Sequence, residues 1–148
     1  HSCWFYTCMY PRGNFANRYV TLPLIKTRLL HWINYKYDSP GYLHWGFNAW
    51  GANGDPFGDV SAPANDWPGG DSHIVYPGYR KLYPSIRLAA MRDGIRDYDL
   101  LKMVEARDSI RAQAFVNAII FDFNRYDTSV SRFRQIRREI LDFLEDMH

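Results

Sequence analysis

The sequence predicts an α/β fold and, within that class, a portion of a (β/α) barrel. Three observations lead there. A strand, a helix and a second strand follow one another between residues 3 and 49, joined by loops short enough for a parallel βαβ unit. The second strand alternates between an apolar face and a mixed, polar one. From Pro84 the chain turns helical and stays so almost to its end.

Each element has its own signal. Cys3 to Tyr10 is apolar and aromatic, as strands prefer, and the turn-forming run Pro11-Arg12-Gly13-Asn14 closes it. Thr21 is a plausible N-cap, and Leu22, Ile25, Leu29, Trp32 and Ile33 recur at helical spacing to about Tyr37. Asp38-Ser39-Pro40-Gly41 stops that helix, and Tyr42 to Ala49 reads as the second strand. Residues 50–83 hold most of the glycines and prolines, and loops of that length are often functional. Beyond Pro84, Leu88, Met91, Ile95, Tyr98, Leu101 and Val104 form one stripe. Gly94 interrupts it at a cost of about 1 kcal/mol relative to Ala, which implies close packing or a bend. A further helix is expected over 109–123. The last, over 129–147, should bury Phe133, Ile136, Ile140, Phe143 or Leu144, and Met147.

A parallel strand covered by helices on both sides should be apolar throughout. In Tyr42–Trp50 only Leu43, Trp45, Phe47 and Ala49 satisfy that, and they are assigned to the helix side. Tyr42, His44, Gly46, Asn48 and Trp50 form the other face, which fits the inner wall of a barrel. Barrel sites lie at the C-terminal ends of the strands, which makes Asn48 and Trp50 mouth residues. An indole stacks on the apolar face of a sugar, and an amide both donates and accepts to hydroxyls. Tyr6 and Tyr10 share a face of the first strand, and Tyr10 and Arg12 end it, as mouth or surface-packing residues. Trp45 could serve the core or the site; the helix side favours the core.

Composition removes other classes. The 148 residues are 47% apolar and 17% aromatic with a formal charge of +2, enough for a core and too little for a nucleic-acid footprint. Arg132, Arg134, Arg137 and Arg138 alternate with Phe133, Ile136 and Ile140 and read as the wet side of an amphipathic helix. No stretch is long enough for a membrane span. Cys3 and Cys8 are an odd number of residues apart on one strand, so they point to opposite faces and cannot bridge. No His or Cys spacing suits a metal, and no cofactor motif is present. Asp55, Asp59, Asp66 and Asp71 could bind hydroxyls or calcium, but Asp beside Pro or Gly is ordinarily a turn former. Arg87, Arg92, Asp93, Arg96 and Asp97 read as a charge lattice on the helix that follows Pro84. The chain enters a strand directly after His1-Ser2, as expected of a piece of a longer protein preceded by a cloning remnant.

Several ordered segments carry a family resemblance: Trp4-Phe5-Tyr6-Thr7-Cys8, Pro11-Arg12-Gly13, Gly41 through Trp50, Asp55-Pro56-Phe57, Tyr76-Pro77-Gly78, Pro84 through Leu88 and Arg92 through Tyr98. Together they resemble the last barrel strands of glycoside hydrolase family 123 and the related domain of unknown function 4091. The resemblance implies that residues 1–106 are the last two β/α units of a (β/α)8 TIM-type barrel, with residues 107–148 as a C-terminal helical extension. It also implies hydrolysis of β-linked N-acetylhexosamine, N-acetylgalactosamine in particular. In that substrate-assisted mechanism the sugar's acetamido oxygen attacks the anomeric carbon, an Asp orients it and an adjacent Glu protonates the leaving oxygen. Glu105, Glu139 and Glu145 are the only glutamates here and all fall on late helices, so the Asp-Glu pair is expected upstream and this chain alone is expected to be inactive. His44 stands where the family often has Tyr, and residues 67–71 depart from its usual Asn-Gly-Asp-Gly loop. The expected partners are a carbohydrate and whatever completes the sheet, either the rest of the barrel or another chain. The resemblance suggests a secreted or periplasmic bacterial setting. The competing reading is a non-catalytic carbohydrate-binding or scaffold module.

Overall fold

A computed structural model describes residues 3–50, 55–58 and 67–146. Asp59, Asp66, Met147 and the leading His1-Ser2 therefore lie outside the described residues. The fold is mixed α/β. Strands β1 (Trp4–Thr7) and β2 (Gly41–His44) flank helix α1 (Leu24–Lys36) in the chain. They pair in parallel with Trp4 opposite Gly41 and Thr7 opposite His44, as the βαβ spacing requires. The long loop contains a hairpin, β3 (Val75–Gly78) and β4 (Lys81–Pro84). Then come α2 (Ile86–Glu105), α3 (Ser109–Asn117), a small hairpin of β5 (Ile120–Asp122) and β6 (Arg125–Tyr126), and α4 (Val130–Glu145).

Several boundaries differ from the sequence reading, each for a local reason. Helix α1 starts after Pro23, which sits at the capping position with extended backbone and no side-chain cap. A residue before proline is biased away from the helical region, so Thr21 and Leu22 stay outside. Helix α3 stops at Asn117 because Ile119, Ile120 and Phe121 favour extended chain and form the β5–β6 hairpin. Val75 and Tyr76 likewise give residues 50–83 the β3–β4 hairpin. The side-chain caps of Ser85, Asp108 and Ser129 on α2, α3 and α4 accept from Leu88 N, Arg111 N and Arg132 N.

The core lies where α1 is enclosed. Leu29 through Tyr35 are buried consecutively, as in a helix covered on more than one side. On α2 the buried positions are Arg87, Gly94, Asp97, Leu101 and Val104, whereas Ile95 is 47% exposed. The stripe read from the apolar residues is thus rotated over the first half of the helix. Gly94 is the cause: a Cβ there would lie 2.4 Å from the Arg28 carbonyl oxygen of α1, so α2 turns its smallest residue to its neighbour. Beside it, the buried Asp97 carboxylate accepts from Arg28 Nε (2.6 Å) and Nη2 (2.9 Å), from Trp32 Nε1 (3.2 Å) and from Arg137 Nε (2.9 Å). One carboxylate therefore joins α1, α2 and α4. On α4 Phe133, Ile136, Ile140 and Leu144 are buried, as their spacing predicts. Among the described residues, no helix is long and apolar enough to cross a membrane.

Two substitutions test this junction. Gly94→Ala, favoured by helix propensity, should instead destabilise by about 1–3 kcal/mol through the backbone clash. Asp97→Ala should cost about 3–5 kcal/mol, since it strands two guanidinium groups and an indole N–H. Urea midpoints at unchanged m-value read both.

Candidate functional site

The two faces of the β1–β2 pair have different surroundings. Phe5 packs edge-on against Tyr37 and Phe123, and Tyr42 packs edge-on against His31 of α1. That side is the helix side. Trp4, Tyr6 and Leu43 project from the other, at 62, 50 and 52% exposure. The even-numbered residues of β2 were assigned inward from their polarity; the structure reverses this at Tyr42 and His44. Parity across the parallel ladder explains it, because Tyr6 pairs with Leu43 and Phe5 with Tyr42. Gly41 is required on the open face, since a Cβ would overlap the Trp4 ring at 2.3 Å.

Strand β2 ends at His44, not Ala49, and the chain then changes partner. Asn48 bridges His73 in antiparallel sense, with Ala49 N bonded to Ser72 O and Ile74 N to Phe47 O. Gly46 makes that crossing possible, for a Cβ would meet the Ser72 backbone at 2.6 Å. A buried polar network fixes the junction. His44 Nδ1 lies 2.7 Å from Arg18 Nη2 and accepts from Gly46 N at 3.2 Å. Because guanidinium only donates, the His44 proton belongs on Nε2, which faces Asp71 Oδ1 at 3.2 Å without hydrogen-bond alignment. Asp71 Oδ2 accepts from Trp45 Nε1 at 2.8 Å. Arg87 Nη1 donates to the carbonyls of Arg18 and Gly70, both at 2.8 Å. Burial lowers the Arg18 guanidinium to about 10, which leaves it charged at neutral pH.

The result is an aromatic corner beyond the C-terminal ends of the strands. Trp45, 39% exposed, meets Trp67 edge to face at 5.4 Å. Of the two roles open to Trp45 the helix side favours the core; at 39% exposure and against Trp67 it stands outside that core. Tyr10 is 60% exposed, with the Arg12 guanidinium 5.2 Å from its ring centre. Of the other residues singled out from the sequence, Tyr6 lies on the open face and Asn48 is exposed. The His44 side chain is 3% exposed, and Trp50 donates its indole N–H to Val75 O at 2.8 Å. Arg18, Asp71 and Trp67 complete the constellation; the sequence offers Asp71 as a turn former or a hydroxyl or calcium ligand and gives no site role to Arg18 or Trp67. Asp71 N does bond Pro68 O, and Asp55 caps Phe57 N, both turn roles. Cys3 and Cys8 are free. No group of three His, Cys, Asp or Glu among the described residues could hold a metal ion.

The class is mixed α/β: a parallel β1–β2 pair joined through α1, with the Trp45–Trp67 corner just past the end of β2. Residues 1–104 match the family model described as glycoside hydrolase 123, catalytic domain. The chain belongs to glycoside hydrolase family 123. No curated protein matches the sequence.

Three buried histidines set an acid limit. Burial lowers His31 and His73 to about 4, Asp97 opposing the shift at His31 and Arg87 and Arg18 reinforcing it at His73, and burial also lowers His44. In the unfolded chain these rings take protons near pH 6.5, in the folded chain only well below. Stability should be level above about pH 7 and fall by about 1.4 kcal/mol per pH unit for each of His31 and His73 between 6.5 and 4. Urea unfolding across that range measures it.

Proposed function

We propose that this chain forms the closing β/α units of a (β/α)8 barrel and one wall of its saccharide site. The observation that carries the reading is the corner of Trp45 and Trp67, placed beyond parallel strands and braced through Asp71. Indole faces exclude water and stack on the C–H faces of a pyranose. Tyr6, Tyr10 and Arg12 extend the wall, Asn48 and Trp50 complete its rim, and His44 acts through Asp71.

Family membership supports a glycan substrate, and the resemblance narrows it to β-linked N-acetylhexosamine. In that reaction the acetamido carbonyl oxygen attacks the anomeric carbon as the bond to the leaving oxygen breaks. A Glu gives that oxygen its proton, and an Asp orients the acetamido group. No Asp-Glu dipeptide occurs in these 148 residues, so both acids come from a preceding strand of the parent protein. This chain contributes substrate positioning.

Aryl β-N-acetylgalactosaminides and β-N-acetylglucosaminides, offered to the parent protein and to this chain alone, test the proposal. Turnover is expected from the parent only, and Trp45→Ala should lower kcat/KM about tenfold, the scale of one aromatic contact. Saccharide binding by the parent without turnover on any substrate would establish the binding-module reading instead.

A further inference from the structure

On the outer helical layer, α1, α2 and α4 enclose a cleft of about 360 Å³ lined by Arg28, Asp93, Arg96, Phe133, Arg134 and Arg137. Four guanidinium groups and the Asp93 carboxylate line it, and with the Asp97 carboxylate behind them the excess is two positive charges. The carboxylates are already occupied. Asp97 lies behind the cleft and takes Arg28 through Nε and Nη2 and Arg137 through Nε. Asp93 is shared at 3.4–4.0 Å among Arg92, Arg96 and Arg28. Among the described residues Arg134 has no acidic partner, and neither terminal nitrogen of Arg137 has an acceptor.

The arrangement is directional. Asp97 accepts from Arg137 Nε, and the Arg137 side chain, 34% exposed, lines the cleft, while the Phe133 ring lies 4.8 Å from the Arg28 guanidinium carbon. Guanidinium groups held in this way have little side-chain entropy left to lose, and their planar forks match the oxygens of a sulfate or carboxylate. A bare surface arginine lacks that preorganisation. The cleft is polar and offers no exposed aromatic platform, so its ligand must bind through charge.

We propose that this cleft is a second glycan site, distinct from the mouth, which takes an anionic saccharide through its sulfate ester or uronate carboxylate. The saccharide part of this proposal rests on the glycan reading above; the oxyanion part rests on the cleft alone.

Calorimetric titration of the full chain at low salt tests it, with a sulfated disaccharide, a uronate-bearing disaccharide and a neutral N-acetylhexosamine disaccharide as probes. A charged probe should bind, the neutral one should not bind here, and added salt should weaken the complex. Binding by only one charged probe identifies the oxyanion and supports the site. Arg96→Gln with Arg134→Gln should weaken binding about tenfold, the scale of losing charge-assisted hydrogen bonds, at unchanged Tm, since both side chains are exposed. Arg138→Gln, on another exposed stretch of α4, should bind normally. Trp45→Ala should also leave this affinity intact, which separates failure here from failure at the mouth. Equal affinity in the double variant overturns the proposal. So does a poly-Glu peptide that binds as tightly as either charged saccharide, which would make the cleft a docking site for acidic protein.

Discussion

Asp97 is the constraint on which the helical layer depends. A carboxylate at 1% exposure is tolerable only if the protein supplies the hydrogen bonds that water would have made. Here they come from two helices other than its own, so the charge can be buried only when α1 and α4 are both in place. The requirement is one of geometry as much as energy. Apolar packing of Trp32 on Phe133, whose rings lie 5.1 Å apart, could tolerate some sliding; three donor groups converging on one carboxylate cannot. Gly94, one turn earlier, lets α2 come close enough for the reach of Arg28 to suffice.

That constraint also governs what could be read from the sequence. The helices were legible mainly from apolar spacing: helical chain is expected from Pro84 and over 109–123 and 129–147, and α2, α3 and α4 begin at Ile86, Ser109 and Val130, with Ser85, Asp108 and Ser129 as their caps. The face of α2 was less so. Hydrophobic periodicity favours Leu88, Met91 and Ile95, yet Arg87, Gly94 and Asp97 are the residues buried along that stretch, because their partners sit on α1, α4 and the loop after β1. No windowed pattern within one helix records a partner on another. The Arg87–Asp97 run was recognised as a lattice, without indication that one of its members was its buried centre.

Past the end of β2, the gap has a different origin. Alternation along β2 correctly gave two faces but assigned them by polarity, and Tyr42 and His44 were polar for reasons of internal bonding. The assumption that β2 continues to Ala49 failed at Gly46, whose backbone contact with Ser72 comes from 26 residues further along the chain. Pairing parity held the missing information. Once Tyr6 is placed on the open face, a parallel ladder in this register puts Leu43 beside it and Tyr42 behind. Trp45 follows Leu43. Trp67 and Asp71 had no strand to place them; their position depends on the loop clipped against Arg87.

That clip reads main chain, not side chains. Arg87 grips the carbonyls of Arg18 and Gly70, and Val20 N meets Gly69 O at 2.8 Å. Peptide groups are the same whatever residue bears them. The loops around the aromatic corner can therefore diverge in composition while their paths stay fixed, with Gly70 held by its positive φ of 80° and by the Arg87 side chain against it. Such a scaffold tolerates a change of side chain along those loops without remaking the architecture beneath.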